Sequence, residues 1–237
     1  MMRVRTLGLA LVAAFAMSAV VAVAAQASEP FYRVAGSAAF VSKEVKAKAA
    51  TNQVLKGELF GVKVTTTCTA VKLAAGSKII AATPGTSEET VEYSGCTQAG
   101  LGTGCEVKNK EVKTKPVVNR LVTTEPENKG FIDVLFTPKT PPEFVTIEFT
   151  GTCLVKEAVV NGTVAAEAWA NGVRQKVGKN TEFKEAEVRF PAIQITKVFE
   201  GKVEVKPALT FGGNVATIVG NIKVTLLEEP VWSVNTE

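Results

Sequence analysis

The sequence predicts an all-β protein, an antiparallel β-sandwich or barrel-like domain behind an N-terminal signal peptide. Three observations predict it. Apolar residues recur at every second position in run after run, turn formers separate those runs, and no later stretch carries a convincing helical stripe.

Taken in order, the first element is the export signal. Arg3 and Arg5 give a positive start, Leu7 to Ala25 follow without a charge, and Ala25-Gln26-Ala27 supplies the small-x-small site of signal peptidase. The expected signal peptide is 1–27, with a mature start at Ser28. An uncleaved membrane anchor is the competing reading, because the apolar run approaches a bilayer span. No cysteine stands beside the cleavage site, so no lipid anchor is expected, and no later segment is long and apolar enough to cross a membrane. Residues 28–53 read as a loosely attached N-terminal segment. Within it, Ser42 to Gln53 is rich in Lys and Ala without an apolar stripe and reads as a surface segment or short helix.

The β domain is expected over 54–237, with two packed β subdomains dividing near 156 as the alternative. Val62, Val64 and Cys68 share one parity of a strand. The run Val145 to Val155 alternates Val145, Ile147, Phe149, Gly151, Cys153 and Val155 with mostly Thr and Glu. Further strands read at Val203 to Phe211, at Ala216 to Leu226, and at Ala186-Val188-Phe190. There Pro191 interrupts, and the parity shifts to Ile193 and Ile195 as a bulge or edge kink would shift it. Thr83-Pro84-Gly85, Gly100 to Gly104, Pro141-Pro142, Asn161-Gly162, Asn171-Gly172 and Gly212-Gly213 supply turns, the Asn-Gly pairs being hairpin signals.

Four cysteines in an exported chain read as two disulfides. Cys96 and Cys105 bracket a Gly-rich loop suited to folding back on itself, while Cys68 and Cys153 sit on the apolar parity of their strands. The expected pairing is therefore Cys96–Cys105 and Cys68–Cys153. Zinc is the competing use, but the spacing lacks a C-x-x-C pair and no His assists. No cofactor or metal is expected.

Composition closes many chemistries. There is no His, so Ser-His-Asp and Cys-His catalysis and His-ligated metals are excluded, and Asp133 is the one Asp among 23 acidic residues, which disfavours calcium loops. Without the signal, 27 basic residues less two leave 25 against 23 acidic, unclustered along the chain. That balance speaks against a nucleic-acid partner. Gly100-x-Gly102-x-Gly104 lacks the strand-then-helix context of a nucleotide loop. Glu88-Glu89 and Glu228-Glu229 point to opposite faces of a strand and read as solvated surface. Of two tryptophans that could stack on a sugar, Trp169 is expected in the core and Trp232 is the more exposable. Asn161-Gly162-Thr163 matches a glycosylation sequon and is also simply a turn.

Several runs carry a resemblance. Asn52-Gln53-Val54-Leu55-Lys56-Gly57, Gly61-Val62-Lys63-Val64 leading to Cys68, and Thr83-Pro84-Gly85-Thr86-Ser87-Glu88-Glu89 leading to Tyr93-Ser94-Gly95-Cys96 are similar to exported proteins of soil actinobacteria. Thr137-Pro138, the strand ending at Cys153, and Phe211-Gly212-Gly213-Asn214 resemble them as well. The resemblance spans most of the mature chain. It implies a secreted four-cysteine β protein and carries no activity or catalytic residue.

The functional expectation is an exported, non-catalytic protein of the cell surface or envelope with a binding or structural role. An envelope or extracellular polymer is the candidate partner, and no membrane association is expected once the signal is cleaved. The alternative is a carbohydrate-active enzyme or sugar-binding module relying on Glu. A groove holding two Glu about 5 to 9.5 Å apart beside an exposed Trp would favour it.

Overall fold

The computed structural model describes residues 29–34, 42–80, 82–179, 181–227 and 231–235. The expected signal peptide and Glu228-Glu229 lie outside the described residues.

Eight antiparallel strands close into a barrel. Around the wall, Val164–Ala170 pairs Lys129–Pro138, then Val117–Glu125, Thr86–Glu89, Lys78–Ile80, Lys43–Ala49, Thr217–Leu226 and Glu185–Phe190, which returns to Val164–Ala170. Closure removes unpaired strand edges. Period two decides what lies inside: Ile132, Val134 and Phe136 from one strand, and Val164, Ala166, Ala168 and Ala170 from its neighbour, all join one core. The outward positions carry Lys48, Glu88, Arg120, Glu167, Glu185, Arg189 and Lys223.

The Lys- and Ala-rich stretch is not a helix or a loose surface segment. Lys43–Ala49 is a central barrel strand with Val45 buried, Ala47 and Ala49 packed against the core, and Lys46 and Lys48 facing out. Its period is two, but alanine is a weak strand former, so the pattern was masked by composition. Phe31–Val34 is likewise tied down, pairing with Trp232–Asn235, which in turn pairs with Thr181–Phe183. This three-stranded cap packs an aromatic cluster over the barrel, with Trp232 5.9 Å from Tyr32 and 4.7 Å from Phe183, ring centroid to ring centroid. Segment 28–53 is thus part of the domain wherever it is described.

A second layer continues the same core. Gln53–Leu59 and Val62–Cys68 form a hairpin that joins the barrel through Val54–Lys56 on Thr217–Val219. Cys105–Val107, Glu143–Gly151, Glu157–Gly162 and Leu209–Phe211 form a further sheet, and Val91–Ser94 lies between Ala70–Leu73 and Glu111–Lys113. The chain passes repeatedly between barrel and second layer, and buried residues on both sides of position 156 belong to one cluster.

Local expectations fare unevenly. Asn171-Gly172 is a hairpin turn with both residues at positive φ (51° and 75°). Asn161-Gly162 is not a turn. It lies within a strand paired to Leu209-Thr210, and a Cβ at Gly162 would run into the carbonyl oxygen of Ala208. The glycine there permits close backbone approach. After Phe190 the chain leaves the barrel, so the shift to Ile193 and Ile195 is no bulge. Ile193 is 88% exposed, while Ile195 packs on a small outer cluster of Val122, Leu135, Ala165 and Val198.

The disulfides correct the expected pairing: Cys68 bonds Cys96, and Cys105 bonds Cys153. The cause is long-range register. Thr97–Ala99 lies antiparallel on Thr65–Thr67 with Thr97 opposite Thr67, which brings Cys96 to Cys68 with Cα atoms 4.0 Å apart. Cys105 lies opposite Gly151, two residues from Cys153, with Cα atoms 4.7 Å apart. The Gly-rich loop has the expected positive φ at Gly100, Gly102 and Gly104, but it bends between strands that diverge to different partners. With all four sulfurs bonded, no thiolate remains for zinc. Two disulfides fit an oxidising compartment.

Candidate functional site in the barrel interior

Glu89 was expected at the surface with Glu88, and the structure separates the two. On strand Thr86–Glu89, Ser87 and Glu89 face inward while Thr86 and Glu88 face outward, and the Glu88 carboxylate meets Lys139 Nζ at 3.1 Å. Register places Ser87 opposite Asn119 and Glu89 opposite Val117 on strand Val117–Glu125. Asn119 Nδ2 donates to Ser87 Oγ at 3.0 Å, inside the wall.

Two chambers border Glu89. One, of about 60 Å³, lies between the cap and the barrel and is lined by Tyr32, Ser87, Asn119, Leu121 and Trp232 among others. The second, of about 30 Å³, lies toward the second layer and is lined by Val91, Tyr93, Phe144 and Phe190 among others. Glu89, Phe136, Val188 and Val224 border both. Glu89, Tyr32 and Tyr93 are half-buried and line these chambers.

Burial sets the electrostatics. Desolvation pushes the Glu89 carboxyl up to about 7, and the Asn119 amide beside it only partly opposes this. Burial first, and the Glu89 charge second, push the Tyr32 and Tyr93 hydroxyls further above their ordinary value, so both stay protonated. Among the described residues, neither chamber is lined by a Lys or Arg. A carboxyl in an apolar enclosure with a displaced pKa and no counter-ion is the usual mark of a functional position.

The cap that completes the chamber is held by a close approach at Gly85. Its N–H donates to the Pro30 carbonyl at 2.6 Å and its own carbonyl accepts from Leu121 N–H at 2.8 Å. A Cβ on Gly85 would stand 2.6 Å from Leu121 Cδ1 and 3.0 Å from the Phe31 backbone, so only glycine lets cap and barrel meet there.

The tryptophans exchange their expected places. Trp232 is 3% exposed and borders the first chamber, whereas Trp169 lies on the outer wall. Beside it runs a groove of about 620 Å³ lined by Asn171, Glu182, Lys184, Glu185, Glu187 and Lys223 among others. Glu185 and Glu187 lie two residues apart on one strand face, the neighbouring pair of acids a glycosidase would need. Their chemistry differs from that of such an enzyme. Hydrogen bonds from Lys223 and Lys48 hold Glu185 below the usual carboxylate range, and Glu187 is paired with Arg189 at 3.0 Å. The Arg189 guanidinium also covers the Trp169 ring at 3.8 Å, and Trp169 Nε1 donates to Glu167. The ring face wanted for a sugar is thus occupied by Arg189, and the lowered Glu185 carboxyl is not tuned as a general acid.

Asp133, the lone Asp, is buried on the outer side of the wall. Arg174 bonds it at 2.7 Å and Glu167 at 3.0 Å. Burial raises the Asp133 carboxyl to about 6 against the pull of Arg174. This cluster ties three strands together. Comparison with family models, curated proteins and solved structures finds no match to the chain, so the site stands on its own geometry.

Proposed function

We propose that the protein is an exported, non-catalytic binding protein that encloses a small, largely apolar ligand inside its barrel. The observation that carries this reading is the pair of chambers meeting at Glu89, apolar in their walls and furnished with a few convergent polar groups. The disulfides and the expected signal peptide support work outside the cytoplasm, secreted or at the cell surface. Charged outward positions such as Lys48, Arg120, Glu185 and Lys223 support a wall that faces water, since a membrane barrel turns an apolar band outward. Reaction chemistry finds little support. Hydrolysis by paired carboxyls needs a second acid across the substrate, and Glu187, which also borders the first chamber, turns its carboxylate to Arg189.

The test is calorimetric titration of the oxidised protein with n-propanol, n-butanol and n-pentanol. Saturable one-to-one binding that Ala168→Leu abolishes, by filling the first chamber, is the expected result. Absence of saturable binding with every probe would remove the reading. The N-terminus of the exported protein, read by intact mass, tests the export part: Ser28 is expected, and a retained Met1 would point to an anchor.

A further inference from the structure

The chamber around Glu89 holds a carboxyl and an orphan acceptor that no basic lining side chain meets among the described residues. Besides the carboxyl, Asn119 Oδ1 is buried and has no partner, while the amide nitrogen donates to Ser87 Oγ and toward Glu89. No basic side chain lines either chamber among the described residues, so the carboxylate has no counter-ion of its own. An uncompensated carboxylate in such a place is costly, and a guest bearing one positive charge and several N–H donors would remove that cost and satisfy the orphan acceptor together. The rings of Tyr32, Trp232, Tyr93 and Phe136 border the same space, and aromatic faces attract cations.

Size narrows the guest further. An apolar cavity of about 150 Å³ holds benzene, whereas the chambers here are about 60 and 30 Å³. At that ratio, about 25 Å³ per carbon, the two chambers together take a body of about three to four carbons.

From these observations we infer that the barrel interior binds a short-chain primary ammonium ion, its nitrogen between the Glu89 carboxylate and Asn119 Oδ1 and its alkyl body against the apolar wall. This rests on the reading of the interior as a ligand site and adds the chemical class. Tyr32 and Tyr93 stay neutral, and Glu187, which borders the first chamber, is paired with Arg189, so pH dependence should come from Glu89. A bound ammonium requires the ionised carboxylate. Affinity should therefore rise about tenfold per pH unit up to about 7 and then level off.

The experiment is calorimetric titration of the oxidised wild-type protein and of Glu89→Gln with n-propyl-, n-butyl- and n-pentylammonium, beside the matching alcohols, from pH 5 to pH 9. The expected result is ammonium binding at pH 8 at least tenfold tighter than alcohol binding. In Glu89→Gln the ammonium affinity should fall at least tenfold and lose its pH dependence. Should the variant fold poorly, proton release by the wild type on ammonium binding at pH 6, measured in two buffers of different ionisation enthalpy, carries the same test. Alcohols binding as tightly as ammonium ions, or ammonium binding without proton release, would overturn the ammonium inference and leave the interior site standing. No binding of either series would overturn both.

Discussion

Replacing Glu89 by Gln removes the charge from the barrel interior while keeping shape and hydrogen-bonding capacity. The carboxyl rises from an ordinary 4.5 to about 7, chiefly through burial. The folded protein therefore holds this proton more tightly than the unfolded chain does. The associated stability is fully present below about 4.5, falls as pH rises, and is lost once pH has passed about 7. At 1.36 kcal/mol per unit, the shift corresponds to about 3 kcal/mol across that window. Gln does not titrate, so the stability difference, Glu89→Gln minus wild type, should increase by about 3 kcal/mol between pH 4.5 and pH 8. Urea unfolding with both disulfides intact, followed by near-ultraviolet circular dichroism, measures it. Asp133 is also raised, from 3.8 to about 6, and destabilises over that lower window in both proteins, so it cancels from the difference. A difference flat with pH would refute the argument, because it would mean that Glu89 ionises as freely folded as unfolded.

Three further expectations follow from other parts of the molecule. Non-reducing peptide mapping should recover Cys68 joined to Cys96 and Cys105 joined to Cys153. Replacing each pair by Ala should cost about 3.5 and about 4 kcal/mol respectively by loop entropy over 28 and 48 residues, read by urea unfolding. Trp232→Ala should cost about 3 to 5 kcal/mol, and Trp169→Ala, which loses the Arg189 contact at the wall, about 1 kcal/mol; thermal and urea melts compare them. Gly85→Ala should lose about 1 to 3 kcal/mol through overpacking of cap on barrel, while accelerating hydrogen exchange in Phe31–Val34.

Strand parity made much of this fold legible in the sequence. Val145, Ile147 and Phe149 alternate and are all buried, as are Val64 and Cys68. Parity also held information that composition obscured. Glu89 shares its parity with Ser87, Val91 and Tyr93, and Ser87 and Val91 are buried, so the inward direction of the acid was written there. Trp169 alternates with Ala166, Ala168 and Ala170, which are core residues, so its outward direction was equally readable. Residue type argued the other way in both cases, acid toward water and indole toward core, and the period prevailed. What parity could not convey is which strands meet. The disulfide pairing depends on Thr97–Ala99 finding Thr65–Thr67, and barrel closure depends on Glu185–Phe190 bridging two strands distant in sequence. Both are registers between remote segments, set by the packing of the whole core.

The central claim is that the Glu89 carboxyl sits inside the barrel, away from water and from any basic partner in the chamber walls. Its own titration tests this most directly. Carboxyl carbon-13 shifts of glutamate-labelled protein, with the Glu89 signal identified by its loss in Glu89→Gln, should be followed from pH 3 to pH 9. The account predicts a midpoint near 7 for that signal. A midpoint near the ordinary 4.5 would place the carboxylate in water and contradict both the chamber and the function built on it.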